Sequence, residues 1–347
     1  MSFEIKEILF PLKNAPENIE LVKVSENIFW ARMPLPHPLD HVNVYIIEDS
    51  FGLTIIDTGV NTEETRLRWD GLLRRYFKGK RLERVIITHH HPDHIGLAGW
   101  FHRKYDAEIY SSRTSYLMAR MLTLDVQEKM SSEATLFYIR AGMPKDVLQQ
   151  RKKIRPMNFS DSVYEIPLGF KRLVEGEEIN FAGHGWKIIF GHGHAPSHAT
   201  FWSKRDSIVF VGDQVLPGIS PNLGVYPTEP EADTVGEWIS SCRKLLRVSD
   251  NKKLVLPGHK LPFTGLSIRL EQLIQNHKSV LKRIGRRLNK GPSNTVGLFK
   301  TIFKREIRKE EYGLALSEAV GHMNHLHKVG KVSRKLNADG AYLWSKI

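Results

Sequence analysis

The sequence has little cysteine and no long hydrophobic run. Its 347 residues include one cysteine, Cys242, so a framework of intramolecular disulfides is excluded. No stretch of about 18 apolar residues occurs, which excludes a membrane-spanning helix by composition. The first ten residues, MSFEIKEILF, carry acidic side chains and lack the apolar centre of a secretory signal. These absences predict a globular protein of the cytoplasm, a reducing compartment, with no membrane partner.

Acidic residues are scarce in one part of the chain. The whole sequence carries a formal charge of +13, and residues 271–347 hold 16 Lys and Arg against only 6 Asp and Glu. The pattern of apolar residues also changes near residue 265, from short runs to long helical periods. We therefore predict two domains, residues 1–265 and a basic domain over residues 266–347.

Short runs rich in Val and Ile recur through the first 260 residues, each bounded by turn residues. They predict buried strands at VNVYII (42–47), GLTII (52–56), RVII (84–87), AEIY (107–110), WKIIF (186–190), SIVFV (207–211) and KLVL (253–256). Helical patterns lie between them, at 61–77 with the capping sequence NTEE, at 95–104 and at 235–247. Strands that alternate with helices predict a layered α/β domain.

Two segments depart from this alternation. Residues 114–152 are mostly helical and rich in Met and aromatic residues, which predicts either a helical pair packed on the core or a lid insertion that shapes an apolar pocket. Helices at 266–287, 295–304 and 313–329, followed by a hairpin over 331–344 with its turn at 337–340, predict a winged-helix-like α+β domain.

Five of the apolar runs are followed by side chains that bind metals. These side chains are Asp57 after GLTII; His89, His91, Asp93 and His94 after RVII; His192, His194 and His198 after WKIIF; Asp213 after SIVFV; and His259 after KLVL. Sites in layered α/β folds assemble at the carboxyl ends of strands. One histidine at a strand end is usually structural, but five coincident cases favour a metal site, because cations offset the cost of burying such groups together.

The segment THHHPDHIG shows which histidines face the site. Side chains alternate at a strand end, so His89 and His91 can share one metal while His90 points elsewhere as a packed or solvated ring. The proline then turns the chain, which directs Asp93 and His94 toward a second metal.

These motifs resemble the metallo-β-lactamase fold. The resemblance covers residues 24–265 and rests, in order along the chain, on DTG (57–59), THHHPDH (88–94), GHAPSH (193–198), GD (212–213) and GH (258–259). It implies a four-layered αββα sandwich with two divalent metal ions. The ligands it implies are His89, His91 and His194 for the first metal, Asp93, His94 and His259 for the second, and Asp213 as a bridge.

The resemblance also assigns supporting roles. Spacing alone leaves His192, His194 and His198 as alternatives, and the motif match selects His194. His198 and Asp57 are then expected to orient the ligands. Asp93 and Asp213 are the candidate catalytic residues. Asp213 would bridge the two cations that hold a hydroxide at neutral pH, and Asp93 could orient that hydroxide as well as ligate. Ligation by nitrogen and oxygen alone suits zinc, with iron or manganese as alternatives.

The ligand residues differ from those of some subfamilies of this fold, which reduces the number of candidate reactions. True β-lactamases of this fold lack the bridging aspartate, and the diiron oxidoreductases carry glutamate at the position of His91. The ligand set resembles the glyoxalase II, lactonase and ribonuclease Z branches. We predict an enzyme that hydrolyses an ester, thioester or lactone of a small-molecule or carrier-bound acyl substrate. Candidate substrate contacts are His41, Tyr138, Asn222 and Tyr226.

The basic C-terminal domain leaves alternatives open. It resembles the winged-helix extension of some hydrolases of this fold, including a lactamase-like endoribonuclease, so the alternative function is RNA or phosphodiester cleavage. Its charge would also suit an acidic carrier such as an acyl carrier protein or coenzyme A. Few aromatics interleave with the basic residues, which fits a solvated face, a surface packed on the catalytic domain, or a homodimer contact. A non-catalytic nucleic-acid-binding protein is disfavoured because all seven ligand positions hold competent side chains.

Overall fold

The computed structural model describes residues 7–36, 39–308 and 311–347. They form two compact units. The described part of the first unit comprises residues 7–36, 39–126, 158–221 and 245–270. The described part of the second comprises residues 127–157, 222–244, 271–308 and 311–347. The predicted division into a hydrolase domain over residues 1–265 and a C-terminal domain over residues 266–347 stays a prediction.

A seven-stranded sheet organises the first unit. Its strands run in chain order: β1 (Val22–Lys23), β2 (Ile28–Pro34), β3 (His41–Asp49), β4 (Gly52–Ile56), β5 (Leu82–Ile86), β6 (Glu108–Ser112) and β7 (Lys171–Leu173). The first four pair antiparallel, and β4 to β7 pair parallel. The carboxyl ends of β4, β5 and β6 therefore meet at one edge of the sheet.

The second sheet has five strands, in the order β12-β11-β10-β9-β8. Their bounds are β8 (Glu178–Phe181), β9 (His184–Gly191), β10 (His198–Ser203), β11 (Ile208–Gly212) and β12 (Leu254–Pro257). Only β11 and β12 pair parallel. All seven strands expected from apolar runs are confirmed, each within one or two residues of its predicted bounds.

Strand β3 shows why these runs read as continuous hydrophobic stretches. Val44 and Ile46 join the apolar cluster between the seven-stranded sheet and its helices. Tyr45 and Ile47 point to the opposite face and join a cluster that draws residues from both sheets. Because each face of the strand is buried, both alternating sets of side chains are apolar. Two sheets packed face to face with flanking helices match the expected αββα layering.

The helices of the first unit are α1 (Glu63–Tyr76), α2 (Pro92–Ile95), α3 (Ala98–Tyr105) and α4 (Arg113–Leu124). The capping prediction at NTEE is confirmed, since the Thr62 hydroxyl accepts from the backbone N–H of Thr65 at the start of α1. Buried Trp69 and Leu72 then anchor α1 on the sheet.

The second unit contains α5 (Ser132–Arg140), α6 (Lys145–Lys152), α9 (Phe299–Phe303), α10 (Tyr312–Lys328) and the hairpin β13 (Val332–Leu336) to β14 (Tyr342–Lys346). Helices α7 (Thr234–Leu246) and α8 (Leu266–Leu288) each have residues in both units. The C-terminal helices and hairpin are confirmed, while their winged-helix arrangement stays a prediction. The segment 114–152 contains three helices, of which only α4 belongs to the first unit. No helix in the described ranges has the length and apolarity to cross a bilayer.

Two histidines are buried together in the second unit. The Nδ1 atom of His277 lies 3.3 Å from Nε2 of His322, and the Trp238 ring packs against His277 at 5.0 Å between centroids. His322 Nδ1 donates to the carbonyl oxygen of Glu318 at 2.9 Å. Burial lowers the pKa of His277 to about 3 and that of His322 to about 4, so both rings are neutral at pH 7.

This pair predicts acid sensitivity. As the pH falls below about 6.5, the unfolded chain binds protons at these histidines that the folded chain does not bind. Their contribution to stability is therefore complete above pH 6.5 and is lost as the pH falls toward 4. From His322 alone, we expect the unfolding free energy to drop by roughly 3 kcal/mol between pH 7 and pH 4. Urea titrations of the wild type and of His322→Gln check this, since the variant should show a smaller drop. Equal pH dependence would contradict it.

Candidate metal centre

The carboxyl ends of four strands bring the predicted ligands together. Asp57 follows β4, the segment from His89 to His94 follows β5, Asp213 follows β11 and His259 follows β12. The turn between β9 and β10 supplies His194. Ligand atoms within 4.8 Å of one another form three groups: His89, His91 and His194; His89, His94 and Asp213; and Asp93, His94 and His259.

One carboxylate oxygen occupies the middle of the cluster. Asp213 Oδ2 lies 3.1 Å from His259 Nε2, 3.4 Å from His94 Nε2 and 3.6 Å from His194 Nε2. His194 Nε2 is also 3.3 Å from His89 Nε2. Asp213 thus adjoins donors of both groups that the sequence assigns to separate metals.

Hydrogen bonds on the far side of each ring fix its orientation. His94 Nδ1 donates to Asp57 Oδ2 at 2.8 Å, and His259 Nδ1 donates to the carbonyl oxygen of His41 at 2.7 Å. The Thr88 hydroxyl donates to Asp57 Oδ2, so it accepts from His89 Nδ1 at 3.0 Å. In each case Nδ1 donates away from the cluster, so Nε2 is the nitrogen that faces the cluster and would ligate a metal.

Orphaned polar atoms test whether a cation fits this cluster. His94 Nε2 and Asp213 Oδ1 are buried and have no hydrogen-bond partner among the described residues. Buried polar atoms are normally satisfied, and an ion is one of the few groups that satisfy a neutral imidazole and a carboxylate together. The donor set of nitrogen and oxygen atoms suits a divalent cation.

The protonation of the cluster without a cation follows from its charges. Burial lowers the pKa of His259, but Asp213 and Asp93 outweigh burial and raise that pKa to about 10. Burial raises the pKa of the Asp213 carboxyl, but His259 and His94 hold it well below its usual range. Burial and neighbouring imidazoles lower the pKa of His89 and His91. Cation binding must therefore displace protons from the His94–His259 side of the cluster.

His198 and two glycines position the central aspartate. The backbone N–H of Asp213 donates to His198 Nε2 at 3.0 Å. A Cβ at Gly258 would lie 2.1 Å from Asp213 Oδ1, and a Cβ at Gly212 would lie 2.6 Å from His198 Cε1. Gly212 also adopts a φ of +49°. Both glycines are therefore required by close approach, and His198 contacts the ligand Asp213 through its backbone.

Two further histidines lie beside the cluster without joining a ligand group. His90 packs on His91 with 4.8 Å between ring centroids, and its buried Nδ1 has no hydrogen-bond partner in the described chain. His192 Nδ1 accepts from the backbone N–H of Ser197 at 3.3 Å. Of the three alternatives in the second histidine motif, only His194 joins the groups found among the described residues.

Strand β3 holds the loop of His259, which the sequence reasoning missed. The Tyr45 hydroxyl donates to the carbonyl oxygen of Pro257 at 2.8 Å, and Asn43 Nδ2 donates to the carbonyl oxygens of Pro257 and Lys260 at 2.9 and 2.8 Å. Asn43 is 1% exposed. An asparagine inside an apolar run was the available signal, because a buried amide requires partners.

The four predicted substrate contacts lie in different surroundings. His41 is buried, and its ring contacts Asp40 and accepts from the backbone N–H of Lys260 at 3.0 Å. In the second unit, Asn222 Nδ2 donates to Glu318 Oε2 at 3.0 Å, Tyr226 is partly exposed, and Tyr138 packs against the apolar cluster. Their contact with substrate stays a prediction.

Family models identify the class of protein. Residues 37–259 match the model of the metallo-beta-lactamase superfamily, and residues 281–347 match that of the metallo-beta-lactamase-like C-terminal domain. The chain belongs to the metallo-beta-lactamase superfamily. It is a metallo-hydrolase of that superfamily with a cluster of His and Asp side chains for metal binding.

The chain is also similar to individual proteins of known name or structure. The probable metallo-hydrolase YqjP of Bacillus subtilis is 26% identical over 87% of this chain and 92% of its own length. The crystal structure of a beta-lactamase domain protein from Burkholderia ambifaria superposes with a TM-score of 0.90, at 29% identity over 98% of each chain. Hydroxyacylglutathione hydrolase GloC of Haemophilus influenzae is 24% identical over 62% of this chain and 82% of its own. A ribonuclease of Thermus thermophilus is 25% identical over 52% of this chain and 41% of its own.

Loss of a ligand should remove metal. We expect His91→Ala and Asp213→Ala to abolish binding of at least one divalent ion per chain, because each removes a donor from the cluster. Elemental analysis of protein reconstituted with zinc gives the stoichiometry. His90→Ala is the matched control and should retain the wild-type metal content. Full occupancy in both ligand variants would show that the ligand assignment is wrong.

Asp57 should influence metal affinity without touching the ion. Asp57→Asn removes the carboxylate that fixes the proton on His94 Nδ1. Metal affinity should fall by about 10- to 100-fold, the usual effect of losing such a partner. Competition with a chromogenic chelator measures it. Unchanged affinity would argue that the bonds from Thr58 to the carbonyl oxygen of His94 orient this residue without the carboxylate.

Proposed function

We propose that the protein is a binuclear metal-dependent hydrolase that cleaves an ester, thioester or lactone bond of an acyl substrate. The observation that carries the proposal is the position of Asp213 Oδ2, which lies within 3.1–3.6 Å of three imidazole nitrogens. A carboxylate with donors on both sides is suited to hold two cations close together.

The residues divide into two ligand sets. His89, His91 and His194 would hold one cation, and Asp93, His94 and His259 would hold the other, with Asp213 shared by both. Zinc suits this donor set, and iron or manganese would fit it as well. When bound, the cations supply Lewis acidity, which lowers the pKa of water toward about 7 and polarises a substrate oxygen.

The chain supplies orientation and proton handling. Asp93 Oδ2 lies 3.2 Å from His259 Nε2 and its side chain is 25% exposed, so it is the more accessible of the two cluster carboxylates. It can accept a hydrogen bond from the nucleophilic water and hold it against the substrate carbonyl. Asp57 and the His41 carbonyl keep the rings of His94 and His259 in place during turnover.

Support for an acyl substrate comes from two directions. True β-lactamases lack an aspartate at the position of Asp213. In addition, a relative that matches this chain over 82% of its own length is named a hydroxyacylglutathione hydrolase. RNA is the second candidate. It is favoured by exposed basic side chains spaced by four residues, Lys282 and Arg286 on α8 and Lys290 in the turn that follows it. A homodimer and a cytoplasmic location stay predictions.

A substrate panel separates the two candidates. Full-length protein reconstituted with zinc is assayed on acyl thioesters, lactones and single-stranded RNA. We expect turnover of thioester or lactone. We also expect Lys282→Glu combined with Arg286→Glu to leave that rate within about twofold, because neither residue belongs to the ligand cluster and salt screens exposed charges. RNA cleavage that falls steeply with salt and is lost in the charge-reversal variant would overturn the proposal in favour of RNA.

A further inference from the structure

Helix α4 begins beside the metal centre. Strands β5 and β6 pair parallel, with Ile86 opposite Tyr110, so the two strands end at the same edge of the sheet. β5 continues into the segment that carries His89, and β6 continues directly into α4, whose N-terminal cap is Ser112. The first turn of α4 is thus placed at the edge where the ligands gather.

A side-chain contact ties this first turn to the second histidine motif. Ser197 Oγ donates to Thr114 Oγ1 at 3.3 Å. Ser197 has a φ of +50° and follows the ligand His194 by three residues. Thr114 therefore marks the end of α4 that is continuous with the metal centre.

From Thr114 a row of exposed apolar side chains runs along α4. Leu117, Met121 and Leu124 follow at spacings of three and four residues, so they share one face with Thr114 over about 15 Å. The exposed fractions of Leu117, Met121 and Leu124 are 54%, 49% and 66%. The opposite face, with Tyr116 and Ala119, packs into the core. A surface helix normally turns polar side chains to water, so this outer face is unusual.

The helix that carries the row is firmly held. The Tyr116 hydroxyl bonds to the carbonyl oxygen of Pro167, and Arg120 donates to the carbonyl oxygen of Ile166 at 2.6 Å. The row thus has a fixed direction, with one end at the ligand loop and the other at Leu124.

We propose that this row, Leu117, Met121 and Leu124, binds the straight acyl chain of the substrate. The inference rests on the proposed function, because the carbonyl of that substrate would lie at the metal centre. Continuity with the centre through Thr114 and Ser197 is the reason to choose this occupant. The row is one side chain wide, which suits an extended chain. A stable protein interface requires about 20 residues a side.

The test is a chain-length series. Zinc-reconstituted, full-length protein is assayed on thioesters of one small thiol, with straight acyl chains from acetyl to dodecanoyl. In the wild type, kcat/KM should rise about twofold per methylene, half the free-energy gain of full burial, since the row covers one side of the chain. In Leu117→Asn combined with Leu124→Asn, the ratio of kcat/KM for decanoyl to acetyl should fall at least tenfold. Calorimetry should show weaker binding of decanoate to the same variant.

Leu67→Asn is the matched control, because Leu67 is 62% exposed on α1 of the same unit. It should retain the wild-type profile. Turnover with a flat profile in the wild type, or the same slope in the double variant, would overturn the acyl-chain proposal alone. Absence of turnover at every chain length, with RNA cleaved, would overturn the proposed function as well. A wild-type dimer that becomes monomeric in the double variant would assign the row to self-association and overturn the proposal.

Discussion

The structure depends on the attraction between two carboxylates, the buried Asp213 and the partly buried Asp93, and the imidazoles that surround them. Asp93 and Asp213 lose most of their hydration, a cost of several kcal/mol for each ion unless opposite charge lies nearby. In the protein without metal, protons held on His94 and His259 supply that charge. Divalent cations are the stronger counter-charge, and they release those protons. Burying these carboxylates therefore costs folding free energy when neither protons nor metals lie beside them. The surrounding structure holds the imidazoles in position, which keeps the counter-charge close to the carboxylates.

That rigidity comes from backbone as much as from side chains. The carbonyl of His41, the N–H of Asp213 and the carbonyls of Pro257 and Lys260 all take part in holding the ligand loops. Because β3 is buried on both faces, these groups cannot shift without disturbing two apolar clusters. Loops and turns thus carry most of the ligands, while packed strands determine where the ligands point.

Much of the centre could be predicted from sequence, since polar residues after apolar runs reveal strand ends and alternation separates His90 from His89 and His91. Asn43 and Tyr45 were missed because their partners lie more than 200 residues away, and local patterns carry no information about such pairs. The division of residues 114–152 between two units was missed for a related reason. Helical periodicity shows that a face is apolar, but it does not show which surface covers that face.

The ligands come from both sheets. Those between His89 and His94 belong to the segment after β5, which includes the short helix α2, whereas His194, Asp213 and His259 extend from the five-stranded sheet. A cation held by both groups is a cross-link between layers that are otherwise joined by apolar contact and hydrogen bonds, so its binding energy is also folding energy. A nascent chain has the complete ligand set only after residue 259 has been synthesised. Coordination by ligands from both sheets therefore requires that the strands of both sheets, through β12, have been synthesised.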